Sequence, residues 1–292
     1  MKNLIICCLA LFCGTVWSSA QTSTPPEPLK SGLHDKLPVN VKFAKNARTF
    51  LRMPPVKKVM ETYRDPGFGP NRWASEFNKG DPEKWIDYAD GLMVVYIPDN
   101  YDGSEAFGVY LHIFPTSSSK GTISVPSGYQ EVLREKKMIF VSPYSVENEK
   151  PDLERIARAL DALATVKTRV KVDEKRIIVG GTSGGGHMAF FTQMLFPEMF
   201  KGAVSHAAQS YLPGHFPGYD LNDCKKGPRR SKVKWAVVSG NKDYNYKEIQ
   251  DTSKVWKSNN MPYRFFDVPG MGHTVAPAKE FKEILTWIED RR

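Results

Sequence analysis

The sequence predicts an α/β protein with a mostly parallel central sheet and helices on both faces. From residue 91 onward, short runs rich in Val, Ile and Phe alternate with stretches whose apolar residues recur at helical spacing. This alternation is typical of βαβ units, whose crossover connections place helices over both faces of a sheet. No linker and no internal repeat interrupts the pattern, so residues 36–292 are predicted to form a single domain.

Seven segments have the composition and length of strands. They are 92–97, 107–114, 138–142, 176–180, 202–206, 235–239 and 263–268. The first two are separated by a short connection, which predicts an antiparallel start to the sheet. Two helices are predicted from apolar residues that share one face: Leu153, Ile156, Leu160 and Leu163 in the first, and Phe281, Ile284, Leu285 and Ile288 in the second.

The first 20 residues have the pattern of a secretory signal peptide. Lys2 precedes an almost wholly apolar stretch from residue 4 to residue 16, and small residues follow up to Ala20. We therefore expect cleavage after Ala20 and a secreted or periplasmic protein. Residues 21–35 are rich in Pro and Ser and are predicted to be a flexible lead-in. After cleavage Cys224 is the one remaining cysteine, so the mature chain is expected to contain no internal disulfide.

Charge and hydropathy narrow the set of partners. The chain carries a net charge of +9, and much of the excess lies in the run CKKGPRRSKVK at 224–234. That run is interpreted as a solvated loop, with attraction to an anionic polymer or surface as the alternative. No nucleic-acid-binding motif is present, which argues against nucleic acid as a partner. No later stretch approaches the ~20 apolar residues of a membrane span. The sequence leaves the oligomeric state open.

The stretch IIVGGTSGGGHMAF, residues 177–190, concentrates glycines between a predicted strand and an apolar helical run. A phosphate-binding loop would require Lys and then Ser or Thr after the last glycine, but His187 and Met188 stand there. A dinucleotide fingerprint would fit Gly184, Gly186 and Ala189. However, its strand normally opens the sheet, and an acidic residue should end the next strand, where this chain has AVSHAAQS. Both interpretations are therefore disfavoured.

A nucleophile elbow fits the same stretch better. Residues 181–185 match G-x-S-x-G, a strained turn between strand and helix that exposes the hydroxyl of its serine, here Ser183. The flanking positions Gly181 and Gly185 must lack side chains, because a Cβ there would collide with the strand or the helix. The motif alone is weak, and its position between RIIVG and HMAFFTQMLF strengthens it.

Candidate partners follow Ser183 in the order acid, then histidine, as this kind of site requires. His273 is the predicted general base, because VPGMGHTVAP lies between the last strand and the last helix. Asp243, in WAVVSGNKDYN just after a strand, is the predicted acid, with Asp220 and Asp251 as fallbacks. In this arrangement the histidine moves the proton of the serine hydroxyl, and the carboxylate fixes the imidazole tautomer.

The oxyanion hole is predicted from the backbone N–H of Gly184 and a second N–H after an early strand. That strand ends in VYLHIFPTSSS, where Pro115 has no N–H to donate. Phe114 is the preferred second donor, with Ile113 and Thr116 as competitors. His112 is interpreted as a residue that braces this loop without reacting. The mechanism requires no metal and no cofactor.

With these residues identified, the region from Leu92 to the C-terminus resembles the α/β-hydrolase superfamily. The motifs that carry the resemblance are VVYIPDNYD, VDEKRIIVGGTSGGGHMAF, SGNKDYN and PGMGH. They are similar to those of extracellular esterases related to polyhydroxybutyrate depolymerases and to feruloyl or acetyl xylan esterases.

The resemblance implies an α/β-hydrolase fold, a triad of Ser183, Asp243 and His273, and an ester substrate, small or attached to a polymer. The family often has His-Gly after its early strand, whereas this chain has His112-Ile113. Two other functions stay open at this point: a serine peptidase of the prolyl-oligopeptidase type, and a non-catalytic polysaccharide-binding protein. Aromatic residues of the unassigned segment 36–90 are interpreted either as core or as an active-site cap: Trp73, Phe77, Trp85 and Tyr88.

Overall fold

A computed structural model describes residues 27–63, 86, 90–118, 120–208 and 233–290. Several sequence predictions fall outside these residues: the signal peptide, the aromatic side chains of segment 36–90 named above, Asp220, and most of the basic run at 224–234. The predictions that can be compared with the structure concern the sheet, the helices around it and the loops at one edge of the sheet.

The described residues form one eight-stranded sheet with the order β1-β2-β4-β3-β5-β6-β7-β8. The pairs that β2 makes with β1 and with β4 are antiparallel, and the pairs from β4 across to β8 are parallel. The strands are β1 Gly32–Pro38, β2 Leu92–Ile97, β3 Phe107–Ile113, β4 Met138–Pro143, β5 Val172–Thr182, β6 Gly202–His206, β7 Lys234–Ser239 and β8 Tyr263–Asp267.

Helices connect the parallel strands and cover the sheet on both sides. In the described part of the chain they are α1 Ala47–Leu51, α2 Pro54–Tyr63, α3 Tyr129–Glu135, α4 Asp152–Lys167, α5 Gly184–Leu195, α6 Tyr246–Ser258 and α7 Ala278–Glu289. The apolar residues that predicted α4 and α7 are all buried, so both predicted helix faces are confirmed. No helix among the described residues is long and apolar enough to cross a membrane.

The predicted start of the sheet is correct in direction and wrong in pairing. β2 is antiparallel, but its neighbours are β1 and β4 rather than β3. The physical reason is the connection between β3 and β4. It is a crossover through α3, so β3 and β4 run parallel, and β4 lies between β2 and β3 in the sheet. Residues 32–35, which the sequence assigns to the lead-in, form the first half of β1.

Strands in the centre of the sheet send alternate side chains to two separate apolar layers. In β3, Val109, Leu111 and Ile113 pack in the larger layer, with α4, α5 and α6. Tyr110 points to the opposite layer, which α3 and α7 cover. Because both faces are buried, a polar site on this sheet must lie at the ends of the strands, where loops from β5, β7 and β8 emerge together.

Candidate active site

The turn that carries Ser183 is sharp and strained. β5 ends at Thr182 and α5 begins at Gly184, so Ser183 is the single residue between strand and helix. Its backbone has φ 52° and ψ −126°, a conformation that costs a non-glycine residue on the order of 1–3 kcal/mol. A hydrogen bond of 2.9 Å from the Ser183 N–H to the His206 carbonyl at the end of β6 helps to hold the turn.

Two glycines make this turn sterically possible. A Cβ on Gly181 would collide with the carbonyl group of Gly185, and a Cβ on Gly185 would collide with the carbonyl oxygen of Ile113 in β3. Strand and helix therefore approach each other more closely than side chains allow. The steric requirement that the sequence predicts for these two positions is met in the structure.

Asp243 lies in the turn after β7, and its carboxylate is buried. Both carboxylate oxygens accept hydrogen bonds. Oδ2 accepts from the Ser239 hydroxyl at 2.6 Å, and Oδ1 accepts from the Asn245 N–H at 3.0 Å and from His273 Nδ1 at 2.9 Å. Since the carboxylate is fully satisfied, its burial carries no unpaired acceptor.

The Asp243 carboxylate also determines which nitrogen of His273 can act as a base. A carboxylate only accepts hydrogen bonds, so the proton of neutral His273 must reside on Nδ1. Nε2 then carries the free lone pair. The fallback acid Asp251 is in a different environment: it is exposed on α6 and is held by Lys247 and, at 2.9 Å, by Lys254.

His273 Nε2 accepts a hydrogen bond from Tyr244 rather than from Ser183. The Tyr244 hydroxyl is 2.7 Å from Nε2, and its ring stacks on the imidazole with centroids 4.1 Å apart. Tyr244 is nevertheless 76% exposed. Among the described residues, the Ser183 hydroxyl makes no hydrogen bond. The structure therefore brings two of the three predicted residues into contact, and Ser183 remains outside that hydrogen-bonded pair.

The predicted oxyanion donors occupy different environments. Gly184 is the first residue of α5, so its N–H has no partner inside the helix, and no acceptor in the described part of the chain bonds it. The ring of Phe114, which follows β3, lies with its centroid 4.3 Å from that of His112. The carbonyl of its competitor Ile113 is packed against Gly185, and Thr116 is exposed.

An asparagine that the sequence does not single out lies beside Gly184. The Asn148 carboxamide occupies the space where a Gly184 side chain would be. Its oxygen accepts a hydrogen bond of 3.1 Å from the buried guanidinium of Arg155 in α4. Its backbone N–H donates to the Pro115 carbonyl at 3.0 Å, which ties it to the loop after β3. No sequence motif marks this position, since the contact arises from the packing of two loops.

His112 lies directly beneath the serine turn and is completely buried. Its Nε2 is 3.0 Å from the Thr182 hydroxyl, and its Nδ1 is 3.3 Å from the Tyr110 hydroxyl. His206, also completely buried, is 2.8 Å from the other side of that same hydroxyl. Burial lowers the pKa of His206 to about 3. Burial, with His206 as a smaller cause, holds the pKa of His112 well below its usual value.

Because burial lowers the pKa of both histidines, we expect the protein to lose stability in acid. In the unfolded chain a histidine binds a proton below a pH of about 6.5, whereas both folded imidazoles stay neutral. The unfolded state therefore binds more protons as the pH falls from about 6.5 toward 3, and the free energy of unfolding decreases over that window. Urea denaturation at pH 7 and pH 5 should show a decrease of about 2 kcal/mol from His206, with a further decrease from His112. His206→Asn should remove the part that His206 contributes, and an equal free energy of unfolding of the wild-type protein at the two pH values would contradict the prediction.

Among the described residues, no group of three or more His, Cys, Asp or Glu side chains is close enough to hold a metal ion. The Asp243 carboxylate and the His273 ring at this edge of the sheet are instead hydrogen-bonded to each other and to neighbouring protein groups. The chemistry that the described side chains can supply is proton transfer by His273, orientation by Asp243, and nucleophilic attack by a serine hydroxyl.

Comparison with known proteins finds similarity at the level of structure. No family model and no curated protein matches the sequence. S-formylglutathione hydrolase FrmB from Staphylococcus aureus matches with a TM-score of 0.53 and 16% identity, over 68% of this chain and 93% of that chain. Est1E from Butyrivibrio proteoclasticus matches with 0.50 and 14%, over 68% and 94%. A ferulic acid esterase matches with 0.51 and 14%, over 68% and 89%.

At identities this low, the similarity concerns the fold. The matches cover most of each neighbouring chain. The present chain also has a parallel centre in its sheet and a strand–turn–helix at Ser183, the local structure of a nucleophile elbow. Together these observations identify the chain as a protein with the α/β-hydrolase fold.

Proposed function

We propose that the protein is a serine hydrolase that cleaves carboxylic esters through an acyl-enzyme, with Ser183, Asp243 and His273 as its triad. The observation that carries the proposal is the pairing of a buried carboxylate with His273 at the same sheet edge as a strained serine turn. A strained backbone at a serine is costly for a structure and is typical of a functional site. The neighbours named as an S-formylglutathione hydrolase and as a ferulic acid esterase support hydrolysis of an ester.

In the proposed reaction the Ser183 oxygen attacks the ester carbonyl while His273 Nε2 takes the hydroxyl proton. Asp243 stabilises the resulting imidazolium through the Nδ1 hydrogen bond. The proton then passes to the leaving alcohol as the ester bond breaks, and an acyl group remains on Ser183. Water then attacks the acyl carbon while the same nitrogen takes its proton, and that proton passes to the Ser183 oxygen as its bond to the acyl group breaks and the acid leaves. The N–H groups of Gly184 and Phe114 are the proposed donors to the oxyanion.

The location and partners of the protein are part of the same proposal. The predicted signal peptide at residues 1–20 supports an exported enzyme whose ester substrate, small or attached to a polymer, lies outside the cytoplasm. Nucleic acid is not proposed as a partner. The sequence assigns specificity for the acyl and alcohol groups to segments 36–90 and 209–230, and the second of these lies outside the described residues.

A substrate panel tests this function. The protein is incubated with aryl esters of short and long acids and with aminoacyl arylamides, and with Ser183→Ala as the background. We expect ester turnover well above the background and little cleavage of the amides. Cleavage of amides in excess of esters would favour a peptidase, and turnover of neither would contradict the proposal and favour a binding protein.

Tyr244 is expected to lower the activity of the enzyme before substrate binds. Its hydroxyl occupies the lone pair of His273 Nε2 that the reaction uses, so it must swing away before Ser183 can be deprotonated. A hydrogen bond of this kind contributes about 0.5–1.5 kcal/mol. Tyr244→Phe, which keeps the stacked ring, should therefore raise kcat/KM for an aryl ester by about twofold to tenfold. Tyr246→Phe, whose hydroxyl contacts Asp267 instead, is the matched control. A large decrease in Tyr244→Phe would show that the hydroxyl takes part in the reaction.

A further inference from the structure

Three buried side chains form a continuous line of hydrogen bonds below the proposed site. The ring of His206 lies at one end, Tyr110 in the middle and His112 at the other end. All three are completely buried on the sheet face that α7 covers, and their hydrogen bonds are with one another and with the loops above. A fully buried polar line of this length needs every member paired, since each unpaired group would cost about 1–3 kcal/mol.

A single backbone N–H group determines which atom donates in each hydrogen bond of this line. The Ala276 N–H lies 3.0 Å from His206 Nδ1 and can only donate, so Nδ1 must hold the lone pair. Neutral His206 then carries its proton on Nε2 and donates it to the Tyr110 oxygen. The Tyr110 hydroxyl is left to donate to His112 Nδ1, and His112 Nε2 donates to the Thr182 hydroxyl.

The environment keeps the members of this line neutral. Burial holds the pKa of both imidazoles below the usual range and raises the pKa of the Tyr110 phenol well above its usual value. At neutral pH the line therefore consists of one imidazole tautomer at each end and an un-ionised phenol between them. A single arrangement of protons satisfies every donor and acceptor along it.

The two ends of the line contact the two segments that the proposed reaction must align, the end of β5 before Ser183 and the loop that carries His273. Ala276 is three residues after His273, in the loop between β8 and α7. Thr182 directly precedes Ser183. His206 contacts both segments by itself, because its ring accepts from Ala276 and its own carbonyl accepts from the Ser183 N–H at 2.9 Å.

We propose that His206 is a positioning residue that fixes the separation between Ser183 and His273, with its carbonyl holding the serine turn and its Nδ1 holding the base loop. The inference rests on the proposed function of that site. It assigns a role to a strand-end histidine that takes no part in the proton transfers of the reaction. Because a displacement of about 1 Å can reduce a catalysed rate about a hundredfold, loss of the Nδ1 contact should lower kcat and leave KM nearly unchanged.

Two substitutions of His206 test the roles of its two ring nitrogens separately. In His206→Asn the side-chain oxygen occupies the position of Nδ1 and can still accept from Ala276. In His206→Gln the amide reaches the position of Nε2 and the Nδ1 acceptor is lost. We expect kcat for an aryl ester to fall by about tenfold to hundredfold in His206→Gln, and to stay within about threefold of wild type in His206→Asn. The amide hydrogen of Ala276 should exchange with solvent rapidly in His206→Gln and slowly in His206→Asn.

Measurements on the wild-type protein do not depend on activity or on the stability of a variant. In protein labelled with ¹⁵N-histidine, His206 and His112 should both be neutral at pH 7 and should both carry their proton on Nε2. A proton on Nδ1 of His206, or a charged ring, would overturn the proposal. So would equal kcat values in the two variants together with slow exchange of Ala276 in both. Absence of ester turnover in wild type would instead refute the proposed function, while the tautomer and exchange results would still decide the structural role of His206.

Discussion

Ser183→Ala is expected to lose ester hydrolysis almost completely, with kcat reduced by about 10⁵-fold to 10⁶-fold. The reason is that the acyl-enzyme forms on the Ser183 oxygen, and the neighbouring Thr182 hydroxyl is held beneath the turn, 3.0 Å from His112 Nε2. Alanine fits the space of the serine side chain, and the unfolding temperature should change little. Ester turnover measured with the purified variant, beside its circular dichroism spectrum, gives the comparison.

Ser258→Ala is the matched control for this substitution. Ser258 is an exposed serine at the end of α6, where its hydroxyl donates a hydrogen bond of 3.0 Å to the Val255 carbonyl. Its replacement should leave kcat and KM unchanged. If Ser183→Ala retained more than a few per cent of wild-type kcat while folded, another nucleophile would have to be found.

Asp243→Asn is expected to show the second largest effect, a decrease in kcat of about 10⁴-fold. The carboxylate is the acceptor that keeps the proton on His273 Nδ1, and an amide at the same place can present its NH₂ group to that nitrogen and reverse the tautomer. Burial increases the effect, because no water can replace the lost acceptor. Steady-state kinetics with an aryl ester measures the decrease.

Asp251→Asn distinguishes the predicted acid from its fallback. The Asp251 carboxylate contacts Lys247 and Lys254 on the surface of α6. Exposed ion pairs of this kind contribute little to the free energy of folding. We expect wild-type kinetics from this variant and a change in stability of less than about 1 kcal/mol. Loss of activity in Asp251→Asn, with activity retained in Asp243→Asn, would overturn the assignment of the acid.

Most of the central sheet could be predicted from sequence because its strands are short, apolar and separated by helical patterns. All seven predicted strands exist, with ends that differ by a few residues at most. β1 could not be predicted, because GLHDKLP has three charged or polar residues in its centre and none of its residues is fully buried at the sheet edge. β1 is ordered by its pairing with β2. A register shift between His34 and Leu37, where Lys36 has a positive φ, interrupts the alternation of apolar and polar residues that would mark a strand in the sequence.

The serine turn was predictable for a local reason, since steric crowding in a strand–turn–helix demands glycines at fixed spacing. The acid and the histidine follow from their place after strands that share one edge of a parallel sheet. Contacts made by tertiary packing left no such signal. The contacts of Tyr244 with His273, of Asn148 with Gly184 and along the line through His206 each join residues far apart in the chain, and no motif marks the contact itself.

Labelling with a fluorophosphonate tests the central claim most directly, because this reagent forms a covalent bond with a serine hydroxyl that an adjacent base activates. The account predicts one adduct per chain, located by peptide mass spectrometry on Ser183, absent from Ser183→Ala and strongly slowed in Asp243→Asn. Absence of an adduct on the folded wild-type protein, or an equal adduct on Ser183→Ala, would contradict it.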